Sequence, residues 1–183
     1  LEAELPADKP IATFYRDGGT ERVKTFTVDH QATAMLALGH LMACRYERII
    51  LLSPYRDYLP VRASLDAARA VYQQLSGQPW NASDIVSIAT DEQMDDLIKS
   101  LTRKGAPRTG LLCPEDNNAI VLATRLRQAG VGLGRQHGLV STMGTALVEH
   151  SGVTAIRHPY SEMGKTCARY LLDGTYGTPR CQP

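Results

Sequence analysis

Residues 49–52 read Ile-Ile-Leu-Leu, a short and wholly apolar run that lies between polar segments. A run of this length and composition is typical of a β-strand that is buried on both faces, as in a parallel sheet. A helical pattern over residues 30–44 precedes the run, and a second one over residues 62–75 follows it. The segment therefore predicts a βαβ unit.

The same alternation of β-rich runs and amphipathic helices extends along the whole chain. The predicted strands are 10–15, 22–28, 49–52, 84–89, 109–113, 138–140 and 153–156. The predicted helices are 30–44, 62–75, 91–104, 118–129 and 161–173. Alternation of this kind predicts an α/β protein with a doubly wound parallel sheet that is covered by helices on both faces.

Several helix boundaries carry local sequence signals. Asp29 and Ser161 are predicted N-caps, because each stands just before an apolar periodic pattern. Thr90 and Gln93 have the spacing of a capping box. Residues 53–60 hold two prolines, so we expect a loop there, with the next helix starting near Arg62.

Composition shows no sequence signal for several classes of partner or for a membrane span. The 20 basic and 19 acidic residues nearly cancel, and no run of like charge marks a surface for DNA, RNA or an anionic membrane. No segment approaches the ~18 unbroken apolar residues of a membrane span. The cysteines have no metal-ligand spacing and are expected to be buried reduced thiols of a cytoplasmic protein: Cys44, Cys113, Cys167 and Cys181.

Signals for catalysis are weak. The five histidines lack the spacings of metal-binding motifs, so we expect no metal site. The glycines of residues 130–134 follow a helix rather than a strand, which makes that segment a connector and not a phosphate loop. No nucleophile elbow or P-loop occurs. The sequence therefore predicts neither a cofactor nor catalytic residues.

Polar residues follow the predicted strands. Ligands of open parallel sheets bind beyond the carboxyl ends of the strands, where a bidentate arginine and several carboxylates could hold a small polar molecule. Two alternatives stay open: Asp116 could be only a helix cap, and Arg62 could form a salt bridge with Glu115 and Asp116 without any ligand. The candidate ligand-binding residues are Tyr15, Arg16, Arg62, Glu115, Asp116 and Ser141.

Four segments, in order along the chain, resemble one known family. Residues 10–16 read P-I-A-T-F-Y-R, and residues 28–41 read V-D-H-Q-A-T-A-M-L-A-L-G-H-L. Residues 113–119 read C-P-E-D-N-N-A, and residues 156–164 read I-R-H-P-Y-S-E-M-G. Together they resemble the effector-binding part of lactose-repressor and galactose-repressor (LacI/GalR) type transcription regulators.

The resemblance implies a type I periplasmic-binding-protein fold, with two Rossmann-like lobes around a ligand cleft. Residues 1–28 with 158–176 would form a first lobe that lacks its N-terminal part, and residues 29–157 the second, leaving 177–183 as a tail. It also implies a homodimer and a DNA-binding headpiece that is absent from this chain. By position, Arg62 matches the effector-binding arginine of the family, and Asp116 matches the aspartate of an asparagine–aspartate pair.

The chain also departs from the family pattern. Tyr15 and Glu115 stand where the family has an aspartate and an asparagine, and Met143 replaces a further aspartate of the ligand pocket. Arg45 and Tyr46 replace a glycine–histidine pair. Because acceptors for sugar hydroxyls are lost, the resemblance implies a small polar effector, such as a sugar or a derivative, without identifying it.

We therefore expect a ligand-sensing domain of a cytoplasmic DNA-binding regulator, which does no chemistry on its ligand. The dimer would use the helix that begins near Asn118 and residues 143–150. An extracytoplasmic solute-binding protein of a transporter would share the fold and is the first alternative. An enzyme built on a doubly wound sheet is the second alternative.

Overall fold

The computed structural model describes residues 9–15, 23–54 and 58–173. They divide into a small unit, formed by segments from 1–28 and from 159–183, and a large unit within 29–158. None of the helices in the described segments is long and apolar enough to cross a bilayer.

The large unit is built on a sheet of five strands: β3 (Arg48–Ser53), β4 (Ile85–Ser87), β5 (Thr109–Cys113), β6 (His137–Ser141) and β7 (Thr154–Ala155). Their order in the sheet is β4-β3-β5-β6-β7, with every neighbouring pair parallel. This architecture confirms the predicted doubly wound α/β fold. The helices are α1 (His30–Ala43), α2 (Leu59–Ser76), α3 (Asp91–Thr102) and α4 (Asp116–Gln128).

Side chains of β3 are buried alternately on the two faces of this sheet. Ile49 and Leu51 pack against the cluster formed with α1 and α2. Ile50 and Leu52 pack on the opposite face, against the cluster formed with α3 and α4. The apolar run is therefore unbroken because each face of the strand has its own helical layer.

The small unit contains β1 (Ile11–Phe14), β2 (Val23–Phe26) and α5 (Tyr160–Asp173). β1 and β2 are parallel neighbours. Phe26, Cys167 and Tyr170 form the buried core of the unit.

Helix boundaries test the sequence signals. Asp29 caps α1, its carboxylate accepting from the Ala32 N–H at 2.8 Å, and the capping box of α3 is present. The predicted loop 53–60 is too long, because α2 begins at Leu59 with a proline in its first turn, where no N–H is needed. Ser161 lies inside α5 and does not precede it, so that N-cap prediction is wrong.

Two further boundaries differ from the prediction. α4 begins at Asp116, two residues before the expected start at Asn118. α3 ends at Thr102 rather than near Lys104, because Arg103 already has an extended backbone. Both differences lie at the helix ends, where sequence patterns are least informative.

The ring of Tyr46 lies against two glycines of neighbouring strands. A Cβ atom at Gly138 would overlap the Tyr46 hydroxyl and lie 2.6 Å from Cζ. A Cβ atom at Gly110 would lie 3.1 Å from Cδ2 of the same ring. Burial also raises the pKa of the Tyr46 phenol above its ordinary value. The two glycines therefore make the space into which the ring fits.

We expect Gly138→Ala to destabilise the fold by about 1–3 kcal/mol, because the added methyl group displaces the Tyr46 ring. Urea unfolding would measure this loss. Gly132→Ala is the matched control, since a Cβ atom there meets nothing within 4 Å. Replacing Tyr46 by alanine in the Gly138→Ala chain should make the added methyl group much less costly. Equal stability of the two single variants would contradict the steric explanation.

His137 on β6 is completely buried. Its Nε2–H donates to the Leu101 carbonyl at 3.0 Å, and Nδ1 has no partner within the described residues. Burial lowers the pKa of the imidazole below its ordinary value of 6.5, so folding favours the neutral form of His137.

This lowered pKa predicts a loss of stability in acid. Below pH 6.5 the unfolded chain takes up a proton that the folded His137 resists, so the free energy of unfolding falls as the pH falls. The free energy of unfolding, measured with urea at several pH values between neutral and mildly acidic, should change less steeply with pH for His137→Asn than for the parent chain. His150→Asn, at an exposed position, is the control and should keep the slope.

Candidate functional site

The carboxyl edge of the large sheet collects the predicted ligand-binding residues of the large unit. Arg62 lies in the first turn of α2, which follows β3. Glu115 and Asp116 follow β5, while Ser141 ends β6 and Met143 lies in the next loop. The fold therefore brings residues from three loops to one edge.

Of the other two candidates, one belongs to the small unit and one lies outside the described residues. Tyr15 follows β1 in the small unit, where its N–H donates to the Phe26 carbonyl at 3.0 Å. Its φ of 55° is left-handed, a conformation that is uncommon for residues other than glycine. Arg16 lies outside the described residues.

Asp116 is a buried residue of this edge, with a relative exposure of 2%. Its carboxylate accepts hydrogen bonds from the Ser141 hydroxyl, from the N–H of Gly144 at 3.2 Å, and from Thr145. Thr145 contributes both its N–H at 2.7 Å and its hydroxyl at 2.6 Å. These donors occupy both carboxylate oxygens, so Asp116 holds the loop after β6 in place.

The loop over residues 142–145 is also held from its other side. At Gly144, with φ of +57°, a Cβ atom would overlap the Ile156 carbonyl oxygen. The Nε2–H of His158 donates to the Thr142 carbonyl at 2.7 Å, and the hydroxyls of Thr142 and Ser64 lie 3.2 Å apart. The loop that carries Met143 is thus fixed by its neighbours on several elements.

Ser64, Thr145 and His158 were missed by the sequence analysis. Their contacts join segments that are far apart in the chain, so no local sequence spacing predicts these contacts. Ser141 was included as a ligand contact, but it is fully buried and its hydroxyl donates to Asp116. In this structure the Ser141 hydroxyl therefore helps to hold the Asp116 carboxylate in position.

Neither acidic candidate pairs with Arg62 within the described residues. The half-buried Glu115 accepts from the Asn118 amide at 2.7 Å, and Asp116 is occupied by the loop. Arg62 is exposed, and its guanidinium forms no salt bridge within residues 9–15, 23–54 and 58–173. The alternative of a salt bridge among these three residues is therefore not formed in that part of the chain.

Other chemistry at this edge is limited. Burial raises the pKa of the Cys113 thiol to about 12, so the thiol is not a nucleophile at neutral pH. Burial, followed by the nearby His158, lowers the pKa of His30, and Asp29 opposes this shift. Among the described residues, no group of three histidine, cysteine or acidic side chains could hold a metal ion.

The family model of the periplasmic binding protein-like domain matches residues 38–183. The chain belongs to this family. Among curated proteins it is similar to the HTH-type transcriptional regulator MalR of Streptomyces coelicolor, with 26% identity over 171 residues. The match covers 89% of this chain and 49% of that protein, so the chain spans about half the length of that relative.

Solved structures share the family fold. A LacI family transcriptional regulator from Lactobacillus casei with bound glucose has a TM-score of 0.73 at 14% identity, over 89% of this chain and 63% of that one. A LacI family regulator from Enterococcus faecium with bound ribose has a TM-score of 0.72 at 19% identity, over 90% and 61%. Together with the family match and MalR, these structures confirm the resemblance to LacI/GalR-type regulators.

We expect Asp116→Asn to destabilise this domain of the periplasmic binding protein-like family by about 2 kcal/mol, because the amide turns a donor toward groups that need an acceptor. Urea unfolding would measure the change. Glu115→Gln keeps an oxygen for the Asn118 amide and should stay within about 0.5 kcal/mol of the parent. Similar stabilities for both variants would show that the Asp116 hydrogen bonds contribute little.

Proposed function

We propose that the chain is the larger part of the effector-binding domain of a LacI-type transcription regulator. Its similarity to the regulator MalR over most of its length supports this proposal. The regulator would bind a small polar molecule and would act in the cytoplasm. It would contact its operator through a DNA-binding headpiece outside this chain and would do no chemistry on the effector.

The exposed guanidinium of Arg62 is the observation at the site that carries the proposal. It lies in the first turn of a helix, where the helix dipole disfavours a positive charge, and it has no salt bridge among the described residues. A guanidinium can donate two parallel hydrogen bonds to a polar ligand. Arg62 would thus hold the effector at an edge that Asp116 keeps rigid.

The proposal includes two lobes. The small unit would be what this chain contributes to the first lobe, and the large unit would be the second, with Tyr15, Arg16 and Met143 as further effector contacts. Effector binding would favour one of two conformations of the regulator and so change its affinity for DNA.

A homodimer is also part of the proposal. Val121 on α4 is 42% exposed, and Leu147, in the short 3₁₀ helix Ala146–Val148, is 63% exposed. The two elements are in contact, and an apolar patch shared by neighbouring elements is typical of an interaction surface. We propose that the dimer contact lies on α4 and residues 143–150.

A solute-binding protein of a transporter would have the same fold. The relatives favour the regulator, because MalR and the structures from Lactobacillus casei and Enterococcus faecium are all transcription regulators. An enzyme would need turnover of a bound ligand, and a mass-spectrometric assay of recovered ligand would detect it.

Arg62→Lys should weaken effector binding by about 1–3 kcal/mol, because an ammonium cannot reproduce the paired hydrogen bonds of the guanidinium. The full-length protein would be titrated calorimetrically with a sugar panel that includes glucose and ribose. The sugar that binds would then be used with the variant, and the melting temperature should not change.

Arg69→Lys on the same helix is the matched control, since Arg69 forms an exposed salt bridge with Asp66 among the described residues. A change in the affinity of the full-length protein for promoter DNA when the same sugar is added, measured by mobility shift, would support the proposal that it is a regulator. Unchanged affinity with a lower melting temperature would make Arg62 a structural residue.

A further inference from the structure

The amino-terminal edge of the large sheet gathers basic residues that are scattered in the sequence. The loops before β3, β5 and β6 span residues 44–47, 103–108 and 129–136. Because these strands are adjacent in the sheet, the loops lie side by side at intervals of about 5 Å. We call the exposed cations of these loops the basic edge: Arg45, Arg103, Lys104, Arg108 and Arg135.

Local charge does not cancel the basic edge. Glu47 is the only acidic residue in the three loops. One of its carboxylate oxygens accepts from the Arg108 N–H at 3.3 Å, so it serves the backbone of the next loop. The edge therefore carries an excess of positive charge in a chain whose net charge is only +1.

Arg108 is held in place at the centre of the edge. Its guanidinium lies over the Tyr46 ring, 5.3 Å from the centroid, and its Nε–H donates to the Arg135 carbonyl at 3.3 Å. The Tyr46 ring in turn fits the space that Gly110 and Gly138 leave. A guanidinium fixed in this way loses less conformational entropy when it binds an anion.

Arg45 occupies a backbone position that favours glycine. Its φ is 55°, and a left-handed conformation costs a residue with a side chain about 1 kcal/mol. The same conformation commonly ends a helix, and Arg45 directly follows Cys44, the C-cap of α1. At this position Arg45 places one more cation at the basic edge.

Helix dipoles explain only part of the charge. α1 and α3 end at this edge, so Arg45, Arg103 and Lys104 would offset the negative ends of these helices. Arg108 and Arg135 stand one and two residues before strands, and neither is at a helix end. A further reason is needed for these two arginines.

The basic edge has the surface chemistry of a phosphate-binding site. Four of its five cations are arginines, whose planar forks match phosphate oxygens. Among the described residues, the large apolar side chains that remain exposed all lie on other segments. The buried core of a protein interface is usually more apolar than this edge, whereas a phosphate backbone can be bound by cations alone.

We propose that the basic edge binds the phosphate backbone of duplex DNA without sequence preference. This surface lies at the end of the sheet opposite to Arg62. The inference goes beyond the proposed effector site and does not depend on it, since the contact needs neither an effector nor a headpiece.

The test uses the 183-residue chain and a short, fluorescently labelled duplex of random sequence. Anisotropy should show binding at about 50 mM salt that is lost toward about 200 mM, with a slope of log K against log salt near −4. Each cation of the edge changed to alanine should reduce the slope by about 1. Arg108→Ala combined with Arg135→Ala should therefore roughly halve the slope.

The matched control combines Arg69→Ala with Arg157→Ala, which removes the same charge from the exposed surface of α2 and from the segment after β7, away from the three loops of the edge. It should leave the slope unchanged. Arg135→Ala alone is the variant with the least risk of misfolding. Among the described residues, Arg135 forms a hydrogen bond only through its backbone carbonyl, which alanine keeps. Urea unfolding of each variant would confirm equal stability.

Three results would overturn the proposal: no binding at low salt, equal slopes for the edge and control variants, or binding of polyglutamate but not of DNA. The last result would assign the edge to an acidic protein partner instead. The result of this test does not affect the calorimetric test of Arg62 with sugars, so the two proposals can be judged separately.

Discussion

Burial of β3 on both faces is the constraint on which the rest of this structure depends. Alternate side chains of this strand enter two separate cores, so each face of the sheet must be covered by helices. Parallel strands meet this requirement, because the helices that connect them lie on the faces of the sheet. Parallel strands also sort the loops into two groups, one at each end of the sheet. Arg62 and Asp116 belong to one group, and Arg45, Arg108 and Arg135 belong to the other.

The charged groups of the two edges are used in different ways. At the carboxyl edge the carboxylates serve the protein itself, Asp116 through the loop after β6 and Glu115 through Asn118. At the amino edge Tyr46 and a neighbouring carbonyl hold Arg108 while leaving the guanidinium exposed. Internal hydrogen bonds therefore decide which charges remain available to a partner.

The sequence predicted the features that depend on neighbouring residues. Apolar periodicity located the strands and helices, and the capping signals at Asp29 and Thr90 were correct because a cap contacts its own first turn. The hydrogen bonds of Asp116 join β5 to the loop after β6, and no short pattern encodes them. The basic edge was not predicted for the same reason, since its residues lie on three loops that only the strand order brings together.

The fit of Tyr46 against β6 has an evolutionary consequence. Positions 46 and 138 share one volume, so neither can gain an atom without a loss at the other. Among descendants of this chain, a side chain larger than glycine at position 138 should occur together with a smaller residue at position 46. Because Arg108 rests on the same ring, such a paired change would also release that guanidinium from its fixed position.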